Sequence, residues 1–204
     1  MNNSTLLDIL LFPKTFYKKL SDKLLSLYLG IIVIGLIDTG MILGTRMSDF
    51  FLGKPHVVLV FNISLALCFV VLIGLMDVVF FSLPLFDIFK FFRLKERIKN
   101  INGQLIKLMK IYMVSRFYVV PIGVVLRLLA GGPLGGSSFI YMWLVLDILL
   151  IVWQSAIIAR GVNTIYSFDD RLRSLVFVIA YTWLTLLGFA VVFIVNNWLL
   201  KLFK

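Results

Sequence analysis

Residues 57–81 read VVLVFNISLALCFVVLIGLMDVVFF, in which Asp77 is the only charged side chain. A helix needs about 20 mainly apolar residues to cross the hydrocarbon core of a bilayer, and this run meets that requirement. Similar runs recur along the chain, and the five candidate spans cover about 24–44, 57–81, 111–129, 138–158 and 175–196. The sequence therefore predicts an all-α membrane protein in which residues 1–204 form one domain, a bundle of five transmembrane helices.

The composition excludes several classes of soluble protein. Apolar side chains make up 61% of the 204 residues and charged side chains 15%, whereas soluble proteins average about 45–50% and about 25%. This excess of apolar surface excludes a soluble enzyme and a disordered chain. Cys68 and His56 are the only cysteine and histidine, so a Cys/His zinc site with its three or four ligands is excluded as well. We expect no metal ion and no cofactor.

The lysines and arginines are distributed unequally between successive connecting segments. Fourteen lie before the first span, between the second and third spans and between the fourth and fifth, whereas four lie in the other segments outside the spans. Because cytoplasmic loops carry the excess of basic residues, this pattern predicts a multi-pass plasma-membrane protein with a cytoplasmic N-terminus and an outside C-terminus. The net charge of +10 then indicates contact with anionic headgroups on the cytoplasmic side. No nucleic-acid motif accompanies this charge.

Two basic segments are predicted to lie along the cytoplasmic membrane surface as short interfacial helices. In residues 1–23, Phe12, Phe16 and Leu20 are spaced by four and form an apolar stripe flanked by lysines, as in interfacial helices. Residues 82–110 likewise combine phenylalanines with basic side chains. These segments either anchor the spans or bind a membrane or cytoplasmic protein partner. The docking candidates are Phe12, Lys14, Phe16, Lys18, Lys19, Phe89, Phe92 and Arg93. Self-association of the chain is left open.

Five charged side chains fall inside the predicted spans, namely Asp38, Asp77, Arg116, Arg127 and Asp147. Each costs about 2.5–3.5 kcal/mol at the centre of a spanning helix, so they are expected to face the bundle interior and to pair. The predicted depths pair Asp38 with Arg127 and Asp77 with Arg116, which leaves Asp147 over. Two interpretations remain open: ion pairs that fix the register of the helices, or a polar pathway for protons, ions or an anionic group.

Glycine and proline residues in the spans give two packing expectations. Gly40 and Gly44 form a small-xxx-small surface that lets another helix approach closely. Pro121 is expected to kink the third span.

Sequence signatures of enzymes do not occur in this chain. The phosphate-binding pattern G-x-x-x-x-G-K-[ST], the zinc-protease pattern H-E-x-x-H and the nucleophile pattern G-x-S-x-G are all missing. We therefore expect a non-enzymatic scaffold, partner-binding or membrane-organising protein. The alternative is a small transporter or channel, or an accessory subunit of one, that uses the intramembrane Asp and Arg residues.

Short motifs occur in the order typical of one family of five-span proteins. They are FPKTF at 12–16, GQL at 103–105, Tyr112, Ser115 and Pro121 in the third span, YMWL at 141–144 and RGV at 160–162. By these motifs the chain resembles the Yip1 family, and in particular a prokaryotic member. The resemblance implies a cytoplasmic N-terminus, an outside C-terminus and no catalytic residues. Eukaryotic relatives bind small GTPases and help shape transport-vesicle membranes, but their longer N-terminal region is not present in this sequence, so that binding is not carried over.

Overall fold

The computed structural model describes residues 3–44, 47–92, 101–130, 137–194, 197–198 and 201, and these residues form helices without any strand. The α-helices are α1 (Asn3–Leu11), α2 (Lys14–Lys18), α3 (Leu24–Gly44), α4 (Met47–Phe50), α5 (His56–Phe92), α6 (Ile101–Ala130), α7 (Ser137–Tyr166) and α8 (Asp170–Ile194). Within these ranges five helices, α3 and α5 to α8, are long and apolar enough to cross a membrane. The predicted all-α membrane bundle is confirmed.

Helix α5 packs against α3, α6 and α8, and α6 packs against α3, α5 and α7. Helix α7 contacts α6 and α8, and the two short N-terminal helices α1 and α2 also pack against it. The closest approach joins α3 to α5 at Gly35 and Gly74, where a Cβ on either glycine would overlap with the backbone of the opposite helix. Gly40 and Gly44 have no such neighbour within 4 Å among the described atoms. The expected close approach at this second pair is therefore not made among the residues that the structure describes.

Four spanning helices extend beyond their predicted bounds at the end of the bundle that contacts the N-terminal segment, here called the lysine-rich end. One of them, α8, begins at Asp170 instead of 175. Helix α5 ends at Phe92 instead of 81, α6 begins at Ile101 instead of 111, and α7 ends at Tyr166 instead of 158. Helix α5 has 37 residues, a length of about 55 Å at the usual rise, against a hydrocarbon core of about 30 Å. These helices therefore project past the lipid core.

The prediction of an interfacial helix in residues 82–110 is wrong for the part of this segment that the structure describes. Its two ends continue α5 and α6 as parts of the bundle. Charged side chains such as Asp87 and Lys90 lie on exposed positions of α5. They do not end the helix, because a charge is unfavourable only while the helix is in hydrocarbon.

The main apolar core lies at this same end of the bundle. Phe89 is completely buried there, and its ring centroid lies 6.0 Å from those of Tyr166 and Phe168. Phe92 is partly buried against the same core. Phe89 is thus a packing residue and not an exposed docking residue. Arg93, the third docking candidate in this segment, lies outside the described residues.

Candidate functional site

Three spanning helices bring Asp38, Asp77 and Arg116 to the same depth of the bundle. Asp38 lies about four turns after the start of α3, Arg116 about four turns after the start of α6, and Asp77 about four turns before the end of α5. Successive spans alternate in direction, so these three positions meet. The two carboxylates are buried, with Asp38 7% exposed and Asp77 5% exposed.

Arg116 contacts both carboxylates. Its Nη2 donates a hydrogen bond to Oδ1 of Asp38, and its Nε lies 3.6 Å from Oδ2 of Asp77. Tyr112, one turn before Arg116 on α6, donates a hydrogen bond of 2.7 Å from its hydroxyl to the same Oδ2. Its ring stacks on Phe81 of α5 with centroids 3.9 Å apart. We name these four polar residues, Asp38, Asp77, Tyr112 and Arg116, the three-helix cluster.

The three-helix cluster contains two carboxyl groups and one guanidinium group. With both carboxylates ionised it would carry one excess negative charge inside the spans, which is costly in a medium of low dielectric constant. A proton on one carboxyl group, or a bound monovalent cation, balances the charge. The cluster can therefore join α3, α5 and α6, and it can also take up one positive charge.

A short polar chain links the three-helix cluster to α7. The hydroxyl group of Ser115 donates a hydrogen bond of 2.7 Å to the backbone oxygen of Tyr112, and Nε2 of Gln154 donates to the Ser115 oxygen over 3.4 Å. Ser115 is fully buried and Gln154 is 6% exposed. These bonds satisfy polar groups that lipid and apolar side chains cannot satisfy.

A second ion pair lies between α6 and α7. Nη2 of Arg127 donates a hydrogen bond to Oδ1 of Asp147, and the guanidinium carbon lies 5.7 Å from the centroid of the Trp143 ring. Both charged side chains are nearly half exposed on the surface of the chain. Arg127 therefore has two neighbours on α7 that stabilise a cation, a carboxylate and an aromatic face.

The predicted pairing of the intramembrane charges was right for Asp77 with Arg116 and wrong for the other three residues. Asp77 lies beside Arg116 as expected, but Asp38 shares Arg116 instead of pairing with Arg127, and Asp147 is not left over. The error arose from the predicted start of the third span at 111. Since α6 begins ten residues earlier, at Ile101, Arg116 lies deeper than expected and reaches the level of Asp38.

The N-terminal segment packs against α7 at the lysine-rich end. Phe12 and Phe16 stack on each other with centroids 5.3 Å apart and pack against the main core. Tyr17 is fully buried, and its single hydroxyl proton has two acceptors within reach, the backbone oxygens of Leu11 at 2.8 Å and Ile157 at 3.2 Å. The predicted apolar stripe thus exists, but its phenylalanines face the bundle.

The three lysines of this segment remain on its surface. Lys14, Lys18 and Lys19 are all exposed.

Two prolines lie at a helix start and inside a helix. Pro13 immediately precedes α2, with φ −67° and an extended ψ of 145°. Pro121 lies inside α6, which continues on both sides of it, and the kink expected there stays a prediction.

Two functional contacts were missed from the sequence. Tyr112 precedes Arg116 by four residues, a spacing that puts both on one helix face, and this signal could have identified the tyrosine as a member of the cluster. The other contact is the ion pair of Asp8 on α1 with Arg160 on α7. Nothing local in the sequence indicates it, because the two residues are 152 positions apart.

The described residues contain no group of three or more His, Cys, Asp or Glu side chains that could hold a metal ion. The three-helix cluster is a site of ion pairing between α3, α5 and α6. Searches of protein-family models, of curated proteins and of solved structures find no match to this chain.

Proposed function

We propose that this chain is a non-enzymatic, Yip1-like scaffold of the plasma membrane that binds a protein partner at its lysine-rich end. In this proposal the lysine-rich end faces the cytoplasm, as the distribution of basic residues predicts. The five spans form a fixed platform, and the exposed side chains of the N-terminal segment contact the partner.

The observation that carries the proposal is the pairing of the intramembrane charges. All five of the charged residues that the sequence singled out engage one another, in the three-helix cluster and in the Arg127–Asp147 pair. Each ion pair joins different helices, so these charges already have a role in fixing the helix register. This favours a rigid scaffold over a pathway lined by free charges.

The docking face of the proposed scaffold is the outer surface of α2. Phe12 and Phe16 are used in packing the segment onto the bundle, whereas Lys18 and Lys19 project from it. Neighbouring basic side chains on a fixed support favour a partner with an acidic surface.

The test is the composition of the native complex after mild extraction, determined by crosslinking, size separation and mass spectrometry. The variant Lys18→Glu/Lys19→Glu is compared with Lys54→Glu/Lys201→Glu, which makes the same charge change at exposed positions outside the N-terminal segment. We expect a stoichiometric partner that the first variant loses and the second retains. A chain recovered only as a monomer or a homo-oligomer would contradict the proposal.

The alternative function, proton or monovalent-cation transport, is favoured by one observation. The three-helix cluster has two buried carboxyl groups for one guanidinium group, so it has capacity for an exchangeable positive charge. In liposomes with a pH gradient, transport predicts a flux that Asp77→Asn abolishes. The matched variant Asp87→Asn changes an exposed position of the same helix and should preserve the flux. No flux from the wild-type chain would reject this alternative.

A further inference from the structure

A cavity of about 430 Å³ opens between the N-terminal segment and α7. Its lining residues are Leu7, Asp8, Pro13, Lys14, Thr15 and Arg160. The volume is sufficient for a phosphate group together with the first atoms of a larger molecule. The cavity lies at the lysine-rich end of the bundle, outside the three-helix cluster.

The charges around the cavity favour an anion. Arg160 and Lys14 contribute two positive charges and Asp8 one negative charge. Asp8 accepts a hydrogen bond from Nη2 of Arg160, while the buried Nε of this arginine has no hydrogen-bond partner among the described residues. The bond to Asp8 uses one of the five N–H donors of the guanidinium group, so its outer nitrogens can also donate to an anion in the cavity. The exposed ammonium group of Lys14 supplies a second cation.

These side chains suit a phosphate group. A guanidinium group binds phosphate through parallel N–H···O bonds, and a lysine adds a mobile point charge. The hydroxyl group of Thr15 provides a neutral donor at the same wall.

The apolar surroundings favour a phosphate that belongs to a lipid. Leu7 lines the cavity, and with Ile9 and Leu10 it forms an apolar surface of α1 in which each side chain is about half exposed. Trp153 of α7 donates a hydrogen bond of 2.9 Å to the backbone oxygen of Leu10, and tryptophan is enriched at the membrane–water interface. We propose that this cavity binds the headgroup phosphate of one anionic phospholipid through Lys14 and Arg160, with its acyl chains along Leu7 and the exposed face of α1.

The proposal does not depend on the scaffold function, and its test uses the purified full chain. Native mass spectrometry in detergent measures the lipid retained as phosphatidylglycerol or phosphatidylcholine is titrated in. We expect one phosphatidylglycerol molecule to be retained at least about tenfold more tightly than phosphatidylcholine, because the choline cation neutralises the headgroup of the latter and is repelled by Lys14 and Arg160.

The variant Lys14→Gln should weaken this binding about tenfold, which corresponds to about 1.4 kcal/mol. Lys18→Gln is its matched control, because Lys18 is an exposed lysine four residues away that does not line the cavity. If both variants lost the same affinity for phosphatidylglycerol, the lipid would be attracted by basic residues in general, and the proposal would be overturned.

The variant Asp8→Asn should strengthen the binding of phosphatidylglycerol, whereas Lys14→Gln should weaken it. Asp8→Asn removes the carboxylate that competes for Arg160, so phosphatidylglycerol should bind several-fold more tightly than in the wild type. Arg160→Gln should abolish selective retention, with its helical content checked by circular dichroism. Weaker binding by a folded Asp8→Asn variant would contradict the site.

Glycerol phosphate distinguishes the lipid from a soluble ligand. The free compound carries a phosphate group with at least the negative charge of the lipid phosphodiester but no acyl chains, so it should displace phosphatidylglycerol only at concentrations far above those of the lipid. Displacement at equal concentration would assign the cavity to a soluble phosphate and overturn the lipid assignment.

Discussion

Gly74 of α5 lies directly against Gly35 of α3. A Cβ on Gly74 would be 2.8 Å from the backbone nitrogen of Gly35 and 3.0 Å from its Cα. Backbone atoms of packed helices cannot move aside as a flexible side chain can, so this contact fixes how closely the first two spans approach.

We expect Gly74→Ala to destabilise the protein by about 1–3 kcal/mol, the usual cost of overpacking. Gly40→Ala is the control, since nothing lies within 4 Å of a Cβ there and alanine favours a helix by about 1 kcal/mol over glycine. Thermal unfolding in detergent compares the two variants with the wild type. Equal stability of the two variants would contradict the close approach.

The three-helix cluster predicts unequal effects of removing its charges. Arg116→Gln leaves two carboxyl groups of the buried cluster without a cation, and loss of one partner of a buried ion pair costs about 3–5 kcal/mol. Asp38→Asn leaves Asp77 with both Arg116 and Tyr112, so we expect a loss of only about 1 kcal/mol.

The free energy of unfolding in detergent at neutral pH measures the loss of stability in both variants. The decisive quantity is the difference between the two variants, because each removes one charged group at the same depth. If Asp38→Asn were as damaging as Arg116→Gln, the sharing of one guanidinium by two carboxyl groups would be refuted.

The ion pair of Arg127 and Asp147 should tolerate an exchange of its two residues. Asp147→Asn leaves the guanidinium without its carboxylate in a spanning helix, and we expect a loss of about 1–2 kcal/mol. The exchange Arg127→Asp/Asp147→Arg should recover most of it, because both side chains are nearly half exposed and have room to adjust. A double-mutant cycle on the folded fraction measures the coupling, and zero coupling would show that the pair contributes nothing.

Tyr17 predicts how the packing of the N-terminal segment depends on pH. Burial raises the pKa of the Tyr17 phenol, while the nearby Arg160 acts in the opposite direction. Because the folded pKa exceeds the unfolded value of about 10, the stabilisation is fully present below about pH 10 and is lost as the pH rises toward the folded pKa. The segment should therefore stay packed at neutral pH and loosen only in strong alkali.

The anisotropy of a fluorophore at Lys18→Cys, in a Cys68→Ser background, reports this packing. It should be constant from about pH 6 to about pH 9 and fall above about pH 10. Tyr17→Phe should lower the anisotropy at neutral pH and remove the alkaline step, since its ring cannot ionise. The same alkaline step in the Tyr17→Phe protein would assign the pH dependence to another group.

The five spans could be predicted because lipid imposes a simple rule on sequence. The run at 57–81 must be helical in hydrocarbon, where every backbone polar group needs an internal partner. The helix ends beyond the lipid follow no such rule. Phe81, Leu85 and Phe89 continue a stripe of spacing four past Asp77, and this pattern could have extended α5 despite the charges beside it.

The candidate sites could be predicted only in part. The sequence identified every charged residue of the three-helix cluster and the pairing of Asp77 with Arg116. It did not identify the pairing of Asp38 with Arg116, because a shift of ten residues in the start of α6 moves Arg116 by about 15 Å along the helix axis. The Asp8–Arg160 pair joins α1 to α7, two helices that are far apart in the sequence and meet only when the protein is folded. Only the packed bundle contains that information.

The order of the three-helix cluster along the chain has a consequence for biosynthesis. Translation produces Asp38 and then Asp77 before Arg116, so the first two spans leave the ribosome with their carboxyl groups but without the guanidinium group that Arg116 supplies. Two such spans released alone into lipid would have to carry protonated aspartates. The third span therefore supplies the cation that the carboxyl groups of the first two spans need. A nascent chain that ends before residue 116 should remain at the insertion machinery instead of partitioning into the bilayer.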